Sequence, residues 1–395
     1  MLKSITLAPG RAKSVFRKHP WIFSGGVAKE EAGIKEGDRV LIRNAKEEAL
    51  GIGHFQNGSI RVRILELGVE ELADDFWRDR LQKARDLRET LGLIRTDNTA
   101  YRLIHGAGDR LPGLIIDVYN DTAVIQCHSI GMFRERKDIA AALVGVFGGK
   151  LKAVYNKSRS SLSKTFATDE ALEETLYGEA TPEVRIQEND NAFLIDVADG
   201  QKTGFFLDQR DNRALVGQYA KGKSVLNTFC YTGGFSVYAL AAGATRVTSV
   251  DLSATAMEMT ERNVALLGES ASGRHEAVTG DVLEFLKEHG DQYDIVVVDP
   301  PAYAKNRNRR HKAVQAYKRL NARAIRNLKP GGLLFTFSCS QVVDRELFNN
   351  TIVAAGLESG RQCSIVHTLS QGGDHPVNLF HPEGGYLKGL VLRVE

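Results

Sequence analysis

Polar turns follow four apolar, strand-like runs in the second half of the chain. The turns begin at Asn227, Asp251, Gly280 and Asp299. The carboxyl ends of parallel strands meet at one edge of a sheet, and ligands of such folds bind at that edge. We therefore expect these four turns to line a single site.

The residue types in these turns match an adenosine ligand that carries no phosphate. The first turn, residues 227–236, contains two glycines but lacks the GxGxxG pattern that binds a pyrophosphate. Asp251 lies 24 residues after Asn227, where a carboxylate can accept both ribose hydroxyls, and Asp281 is placed for the adenine amino group. A Gly-Gly turn is usually only a turn, and an acid after a strand is usually a helix cap. All four features in order nevertheless predict S-adenosylmethionine as the ligand.

Helix-like runs separate these strands, which predicts a mostly parallel α/β sheet with both faces covered. More strand-like runs, residues 364–368 and 387–394, end the chain. The first part of the chain has short strands with glycine turns, and a mixed pattern follows it. We predict three domains: 1–72, a small β-rich barrel; 73–198, an α+β domain; and 199–395, the α/β domain.

The composition is ordinary for a globular protein and excludes several classes. Of 395 residues, 43% are hydrophobic and 26% are charged, which excludes a wholly disordered chain, a collagen and a disulfide scaffold. No apolar run approaches the ~18 residues that a membrane helix needs. The four cysteines have no CxxC spacing and the ten histidines no ligand spacing. We therefore expect a cytoplasmic protein with no membrane partner and no metal.

The net charge of +3 is small, but the positive charges are clustered. Six Lys or Arg residues precede the first acid, Glu30, and ten lie from Lys305 to Lys329 with no acid between them. Such blocks can neutralise the phosphates of a nucleic acid, although an isolated charge run is more often only a solvated surface. Trp21 and Phe23 in the first block are suited either to base stacking or to the core of the small barrel.

Motifs spread over essentially the whole chain resemble one family, the bacterial large-subunit rRNA methyltransferase I group. The matching segments are residues 9–13, 19–23, 102–105, 111–114, 202–210, 227–235, 299–301, 338–340, 375–376 and 383–389. The group is named for making 5-methylcytosine at position 1962 of 23S rRNA. The resemblance implies a PUA domain, a central α+β domain and a class I methyltransferase domain, Rossmann-like with an antiparallel C-terminal strand.

The resemblance also implies which residues hold S-adenosylmethionine, with the segment 202–210 packing over it. The residues are Phe206, Gln209, Arg210, Asn227, Phe229, Tyr231, Gly233, Asp251, Asp281 and Asp299. It implies 23S rRNA, or a large-subunit assembly intermediate, as the partner. A homodimer stays open, as does the choice between naked RNA and a ribosomal particle.

Cytosine C5 is a poor nucleophile, so the implied reaction needs a thiolate that adds to C6 and makes C5 reactive. Cys339 follows the fifth strand and is the residue we expect to attack. Cys127 lies within a strand-like run, Cys363 has no supporting context, and Cys230 is more consistent with packing beside the first turn. A different group of RNA cytosine-5 enzymes carries a second cysteine directly after its Asp-x-Pro turn, but Ala302 stands there in this chain. The base that completes product release therefore has no assignment.

Asp299 is the expected acid that hydrogen-bonds or protonates N3 of the cytosine ring while the sulfur adds; it could alternatively bind ribose or cap a helix. Tyr303 is equally suited to flanking the target base and to packing. A thiolate needs positive charge nearby, and Lys305 is one source. Two alternatives stay open: a guanine-nitrogen methyltransferase that needs no thiol, and a non-catalytic RNA-binding protein that retains the fold.

Overall fold

The computed structural model describes residues 2–162, 166, 170–271, 273–304 and 306–395. These residues form two compact units. Unit 1 comprises Met1–Ile186, Ile195–Phe205 and Gly373–Gly384, and unit 2 comprises Gln187–Leu194, Phe206–Gly372 and Gly385–Glu395. Among the described helices, none is both long enough and apolar enough to cross a bilayer.

Unit 1 begins with a six-stranded sheet that encloses a small apolar core. Its elements are β1 (Lys3–Leu7), α1 (Lys13–Phe16), β2 (Trp21–Phe23), β3 (Val27–Glu30), β4 (Arg39–Arg43), β5 (Ala49–Phe55) and β6 (Ile60–Leu67). The strand order is β2-β6-β5-β4-β1-β3, in which only β1 and β4 run parallel. Ile5, Val40 and Val62 are fully buried at its centre. Alternating side chains of these strands therefore supply the core, as expected for a half-buried sheet.

A second sheet in unit 1 is packed against two helices. Its elements are α2 (Phe76–Thr90), β7 (Ala100–His105), β8 (Leu114–Tyr119), β9 (Thr122–Cys127), α3 (Ile130–Arg134), α4 (Arg136–Phe147), β10 (Ala153–Lys157) and β11 (Glu173–Gly178), with strand order β11-β10-β9-β8-β7. Leu81 of α2 and Leu143 of α4 are fully buried against it. A hairpin of β12 (Glu183–Glu188) and β13 (Asn191–Asp196) follows.

Unit 2 contains a seven-stranded sheet with helices between its strands. Its elements are α5 (Arg210–Ala220), β14 (Ser224–Thr228), α6 (Gly234–Ala241), β15 (Arg246–Asp251), α7 (Ala254–Ala265), β16 (Arg274–Thr279), α8 (Val282–His289), β17 (Ile295–Val298), α9 (Arg310–Asn327), β18 (Gly332–Ser338), α10 (Arg345–Ser359), β19 (Cys363–Leu369) and β20 (Lys388–Val394). The order is β16-β15-β14-β17-β18-β20-β19.

The first five strands in that order are parallel, and β20 lies antiparallel between β18 and β19. Val225, Val296 and Phe335 are fully buried in the centre of the sheet, which explains why these strands are nearly continuous apolar runs. The chain order reverses between β14 and β17, and this is the switch point at which such sheets bind ligands. The predicted mostly parallel α/β domain with an antiparallel C-terminal strand is confirmed.

Candidate active site

The turn after β14 is held in an unusual backbone conformation. Phe229, Tyr231 and Gly233 have φ angles of 54°, 50° and 77°, and residues other than glycine seldom adopt this left-handed region. The amide of Tyr231 donates to Asp251 Oδ2 at 3.1 Å, and Thr260 Oγ1 donates to the Tyr231 carbonyl at 2.9 Å. The ends of β14 and β15 are thus tied together, which fits a binding turn that the surrounding structure must hold in place.

The two glycines of this turn are required by close contacts with protein side chains. A Cβ on Gly233 would lie 2.7 Å from Cγ2 of Thr260, and one on Gly234 would lie 2.9 Å from Cδ of Arg213. Real Cβ atoms do not approach other atoms so closely, so larger residues would displace α7 or α5. The contacts of both glycines are thus with side chains of the two helices.

Asn227 leaves one buried acceptor for a ligand at the end of β14. Its Nδ2 donates to Ser236 Oγ at 2.9 Å, and Ser236 Oγ lies 2.7 Å from Ser249 Oγ. Its Oδ1 is buried and has no hydrogen-bond partner among the described residues. A buried acceptor without a donor is costly, so a bound ligand that donates here would relieve that cost.

The two carboxylates after β15 and β16 have different environments. Asp251 accepts the amides of Tyr231 and Ser253 on its two oxygens. Asp281 caps α8, because its Oδ1 accepts the amides of Leu283 at 2.8 Å and Glu284 at 3.1 Å. Asp281 is exposed, and both of its hydrogen bonds within the described chain go to Oδ1 and none to Oδ2. Asp281 is therefore a helix cap that still has an acceptor oxygen for a ligand.

The segment before α5 joins the same edge of the sheet. The rings of Phe206 and Tyr231 meet edge to face with centroids 5.2 Å apart. Gln209 Nε2 donates to Asp299 Oδ2 at 2.9 Å, and Gln209 Oε1 accepts from Asn212 at 2.6 Å. Gln209 therefore orients the carboxylate of Asp299, which sequence reasoning did not foresee.

Arg210 lies in a buried ion-pair cluster. Its Nε is 3.6 Å from Glu188 Oε2, and only 2% of Arg210 is exposed. Arg213 donates to both oxygens of Glu188, at 2.8 and 2.7 Å, and Tyr238 OH donates to Oε1 at 3.1 Å. The contacts of Arg210 thus indicate that it stabilises the start of α5; its predicted contact with the cofactor stays a prediction.

Asp299 and Cys339 lie at the same edge of the sheet on neighbouring strands. Asp299 directly follows β17, and Cys339 directly follows β18. The two strands pair in parallel with Val298 opposite Thr336, so their carboxyl ends lie side by side at the usual strand spacing of about 4.8 Å. Asp299 therefore stands level with Phe337, two residues before Cys339 on the neighbouring strand, and the predicted acid and the predicted nucleophile lie at the same edge of the sheet.

Lys388 supplies the positive charge beside Cys339. Lys388 stands opposite Ser338 in the β18–β20 pair, and its Nζ donates to the carbonyls of Ser340 at 2.8 Å and Tyr386 at 2.7 Å. Burial lowers the pKa of Lys388 to about 8, while the charge of a Cys339 thiolate acts in the opposite direction. Lys305, the source of positive charge expected from the sequence, lies outside the described residues. Lys388 belongs to the 383–389 motif, and this motif is the sequence feature from which its role beside Cys339 could have been suspected.

The environments of the four cysteines differ. Burial raises the pKa of Cys127 to about 12 and raises those of Cys230 and Cys363. Cys127 and Cys230 are fully enclosed, whereas Cys339 is partly exposed. A buried thiol far from positive charge is unreactive. Cys339 is the cysteine that combines partial exposure with the nearby ammonium group of Lys388.

The residues on either side of Cys339 are fixed by a buried tyrosine. Tyr317 OH lies 3.0 Å from Ser340 Oγ, and its ring meets that of Tyr303 edge to face at 4.8 Å. Burial raises the pKa of Tyr303 to about 12, so its hydroxyl stays protonated at neutral pH. Of the two roles weighed for Tyr303, packing is therefore observed; contact with a base stays a prediction.

Replacing Lys388 by glutamine is expected to slow alkylation of Cys339 below about pH 8. Glutamine keeps an N–H donor for the two carbonyls but removes the charge that favours the thiolate. The folded pKa of about 8 lies below the ordinary value of 10.5, so the charge is present below that pH and is lost above it. Near neutral pH we expect Cys339 to be alkylated about tenfold more slowly in Lys388→Gln than in the unaltered protein, which corresponds to a difference of one pKa unit in the thiol. The difference between the two rates should become smaller at alkaline pH.

The measurement is iodoacetamide labelling at several pH values, with mass spectrometry of the peptide that contains Cys339. Labelling of the partly exposed Cys363 in the same samples is the internal control and should not change. Equal Cys339 rates in both proteins at every pH would show that Lys388 does not activate this thiol.

Comparisons with known proteins agree with this geometry. Residues 133–358 match the family model described as S-adenosylmethionine-dependent methyltransferase, and residues 5–67 match a PUA-like domain. The chain is therefore an S-adenosylmethionine-dependent methyltransferase with an N-terminal PUA-like domain. The sheet order, the turn after β14 and the carboxylates that follow the strands are the features of unit 2 that fit this class.

Full-length relatives identify the family more closely. The chain is 39% identical over 399 residues to the Ribosomal RNA large subunit methyltransferase I of Pseudoalteromonas atlantica, with 100% of each chain covered. It is 41% identical over 404 residues to the protein of the same name from Aeromonas hydrophila, again with 100% of each covered. The chain belongs to this family. A putative SAM-dependent methyltransferase from Streptococcus mutans shares the fold, with a TM-score of 0.82, 24% identity and 100% of each chain covered.

Proposed function

We propose that this protein methylates C5 of a cytidine in 23S rRNA, at the position corresponding to 1962, through a covalent bond between Cys339 and C6. The observation that carries the proposal is the placement of Cys339, partly exposed at the end of β18, beside Lys388 and next to the strand that ends in Asp299. The names of the full-length relatives support ribosomal RNA as the substrate. The reaction would take place in the cytoplasm, where ribosomes are assembled.

The fit of the cofactor rests on residues of unit 2. Asn227 Oδ1 and Asp281 Oδ2 are acceptors without a partner in the described part of the chain, and both suit the amino groups of S-adenosylmethionine. Asp251 is placed for the ribose hydroxyls, and the rings of Phe206 and Tyr231 offer an apolar surface beside them. When bound, S-adenosylmethionine supplies an electrophilic methyl group on a sulfonium sulfur.

Cys339 performs the first covalent step. Its thiolate forms a bond to C6, and the electron pair of the C5–C6 double bond moves into the ring, so that C5 becomes nucleophilic. C5 then forms a bond to the methyl carbon. The bond between that carbon and the sulfonium sulfur of S-adenosylmethionine breaks, and its electron pair stays on that sulfur. Loss of the C5 proton to a base and rupture of the bond between Cys339 and C6 restore the aromatic ring and the free thiol.

Asp299 handles the charge that builds on the ring during addition. Negative charge delocalises onto N3, and the protonated carboxyl of Asp299 donates to that atom. Gln209 fixes the orientation of the carboxyl group through its 2.9 Å hydrogen bond to Oδ2. The target base must leave its stack to reach these groups, at a cost of a few kcal/mol in a duplex and less in an open strand.

The start of α9 is suited to bind the RNA backbone beside the flipped base. Arg307, Arg309, Arg310 and Lys312 are exposed, and among the described residues no ion pair involves any of them. Farther along the helix, Lys318 pairs with Glu358 at 2.8 Å. Positive charge at a helix N-terminus opposes the helix dipole, so these four residues are better explained by an anionic ligand than by helix stability.

Changing these four residues to glutamine is expected to weaken RNA binding and its dependence on salt. Each lost phosphate contact reduces the slope of log K against log salt concentration by roughly 0.7, or about 3 if all four bind phosphate. The measurement is filter binding of an rRNA fragment at several salt concentrations. The matched control changes Lys221 and Lys223, exposed residues before β14 at the opposite edge of the sheet; it should leave the slope unchanged. An unchanged slope in the fourfold variant would exclude this surface.

Unit 1 offers an aromatic surface for the same RNA. Phe16 and Phe23 are 68% and 48% exposed, while Ile22, the residue before Phe23, is buried. Of the two roles weighed for Phe23, surface exposure is observed, whereas Trp21 is half-buried against the ring of His381. Exposed rings near basic residues can stack on unpaired bases.

The experiment that tests the proposal is mass mapping of modified nucleosides in 23S rRNA from cells with and without this protein. We expect 5-methylcytosine at one position to disappear in the deletion strain and to return when the gene is restored. Loss of a methylguanine instead would support the guanine-nitrogen alternative. Loss of no modification would support a non-catalytic RNA-binding role.

A further inference from the structure

Two histidines and a glutamate that are far apart in sequence meet in unit 1. His19 precedes β2, whereas His381 and Glu383 belong to the 373–384 segment. One ligand atom from each of the three side chains lies within 4.8 Å of the others. His381 Nε2 is 3.9 Å from Glu383 Oε2, and the imidazole rings of His19 and His381 have centroids 5.4 Å apart. The 19–23 and 383–389 motifs, to which the proposed methyl transfer assigns neither His19 nor Glu383 a role, thus contribute side chains to one cluster.

His381 is buried without satisfying its polar atoms. Only 5% of the residue is exposed, and neither ring nitrogen has a hydrogen-bond partner among the described residues. Burying an imidazole whose nitrogens have no partner is unfavourable, because the hydration of those nitrogens is lost and nothing replaces it. A buried polar group without a partner calls for an explanation. A bound metal ion is such an explanation, because one of the two ring nitrogens of His381 would coordinate it.

One tautomer of His19 has the orientation that metal-bound histidines usually have. Its Nδ1 lies 3.1 Å from both the carbonyl oxygen and the backbone nitrogen of Trp21, so it donates to the first or accepts from the second according to its tautomer. In the tautomer with the proton on Nδ1, that proton is donated to the carbonyl and the lone pair of Nε2 is free. Donation of the second ring N–H to a carbonyl is the common outer-shell arrangement of histidine ligands.

Aromatic rings surround the three side chains. The ring of Trp21 lies 4.3 Å from that of His381, and the ring of Phe23 lies 5.7 Å from that of His19. Lys18 Nζ stands over the ring of Phe380 at 5.4 Å. An apolar surround limits the access of water and strengthens the attraction between a carboxylate and a cation.

We propose that His19, His381 and Glu383 bind one zinc ion. Two imidazoles and one carboxylate are a ligand set that zinc uses, with a fourth position left for water or a substrate oxygen. Zinc–ligand distances of about 2.0–2.2 Å place ligand atoms roughly 3.4 Å apart in a tetrahedron, whereas the three atoms here lie within 4.8 Å of one another, so small side-chain movements would close the site around the ion. The proposal departs from the expectation of no metal, which rested on spacing along the chain alone.

The test uses the full-length chain without a histidine tag, treated with EDTA and then dialysed. Equilibration with zinc chloride and elemental analysis should give one equivalent of bound zinc. Addition of cobalt chloride, as a spectroscopic substitute, should give the visible absorption of a tetrahedral site. The variants Glu383→Gln and His381→Gln should each bind zinc at least tenfold more weakly, since the loss of an outer-shell partner alone costs that much.

Two controls keep the outcome decisive. His289→Gln changes an exposed histidine of unit 2 and should leave zinc binding unchanged. Glu383 is exposed, so Glu383→Gln should fold even where the buried His381 variant does not; circular dichroism checks both. Absence of stoichiometric zinc, or equal zinc affinity in Glu383→Gln and the unaltered protein, would overturn the proposal. Neither result would bear on methyl transfer, whose residues lie in unit 2.

Discussion

Replacing Cys339 by alanine is expected to abolish methyl transfer while leaving S-adenosylmethionine bound. Without the thiolate, C5 of cytosine has no route to become nucleophilic, so the rate should fall by at least about a thousandfold, or about 4 kcal/mol in activation free energy. The measurement is transfer of tritium from labelled S-adenosylmethionine to 23S rRNA, together with calorimetric titration of the cofactor. Cofactor affinity should stay within about twofold, because Cys339 is not among the residues expected to contact it.

Cys363→Ala is the matched control for this experiment. Cys363 is the other partly exposed cysteine, and it lies at the start of β19. Its removal should leave methyl transfer unchanged. Unchanged turnover in Cys339→Ala would contradict the covalent route and favour a methyltransferase that acts on a guanine nitrogen.

Replacing Asp299 by asparagine is expected to reduce turnover by roughly 10²–10⁴-fold, the usual contribution of a general acid. Asparagine has the same shape and its oxygen can still accept from Gln209 Nε2, so the geometry of the turn is retained. It cannot deliver a proton to N3. We expect the loss in kcat, with little change in the KM for RNA, when single-turnover rates are measured at saturating cofactor.

The matched control is Asp291→Asn, an exposed carboxylate that lies before β17 at the other end of the strand. Its turnover should equal that of the unaltered protein. A turnover loss in Asp299→Asn that disappears at high cofactor concentration would instead assign Asp299 to cofactor binding.

The sequence predicted the sheet of unit 2 well because its strands are buried on both faces. Runs such as Ile295–Val298 are continuously apolar, and polar turns follow them at regular intervals. The carboxyl ends of parallel strands meet at one edge of the sheet, so the turns that follow these strands in the sequence lie close together in the fold. The antiparallel C-terminal strand was implied by the family resemblance, and the strand order was not predicted, since periodicity carries no information about which strands pair.

Helix α5 was not predicted, because the first half of its buried face is polar and only Val216, Gly217 and Ala220 complete it. Arg210, Asn212 and Arg213 are buried on it, and Glu188, which lies in a different segment of the chain, pairs with Arg213 at 2.7 Å. Periodicity methods look for apolar residues at helical spacing and therefore do not detect a helix that is held by ion pairs and hydrogen bonds.

Contacts between distant segments could not be predicted from spacing either. Lys388 reaches Ser340 only because β20 pairs with β18, and His19 meets His381 only because residues 373–384 belong to unit 1. In both cases, the sequence supplied residues with suitable chemistry but not their partners. The two boundaries between the three predicted domains stay predictions.

The most direct test of the covalent mechanism is trapping with an rRNA fragment that carries 5-fluorocytidine at the target position. Fluorine at C5 cannot leave as a proton does, so the bond between sulfur and C6 should persist after methyl transfer. We predict a stable protein–RNA adduct that requires S-adenosylmethionine, with the nucleotide attached to the peptide containing Cys339. An adduct on another cysteine, or no adduct from RNA that the protein methylates when unfluorinated, would contradict the assignment of Cys339 as the nucleophile.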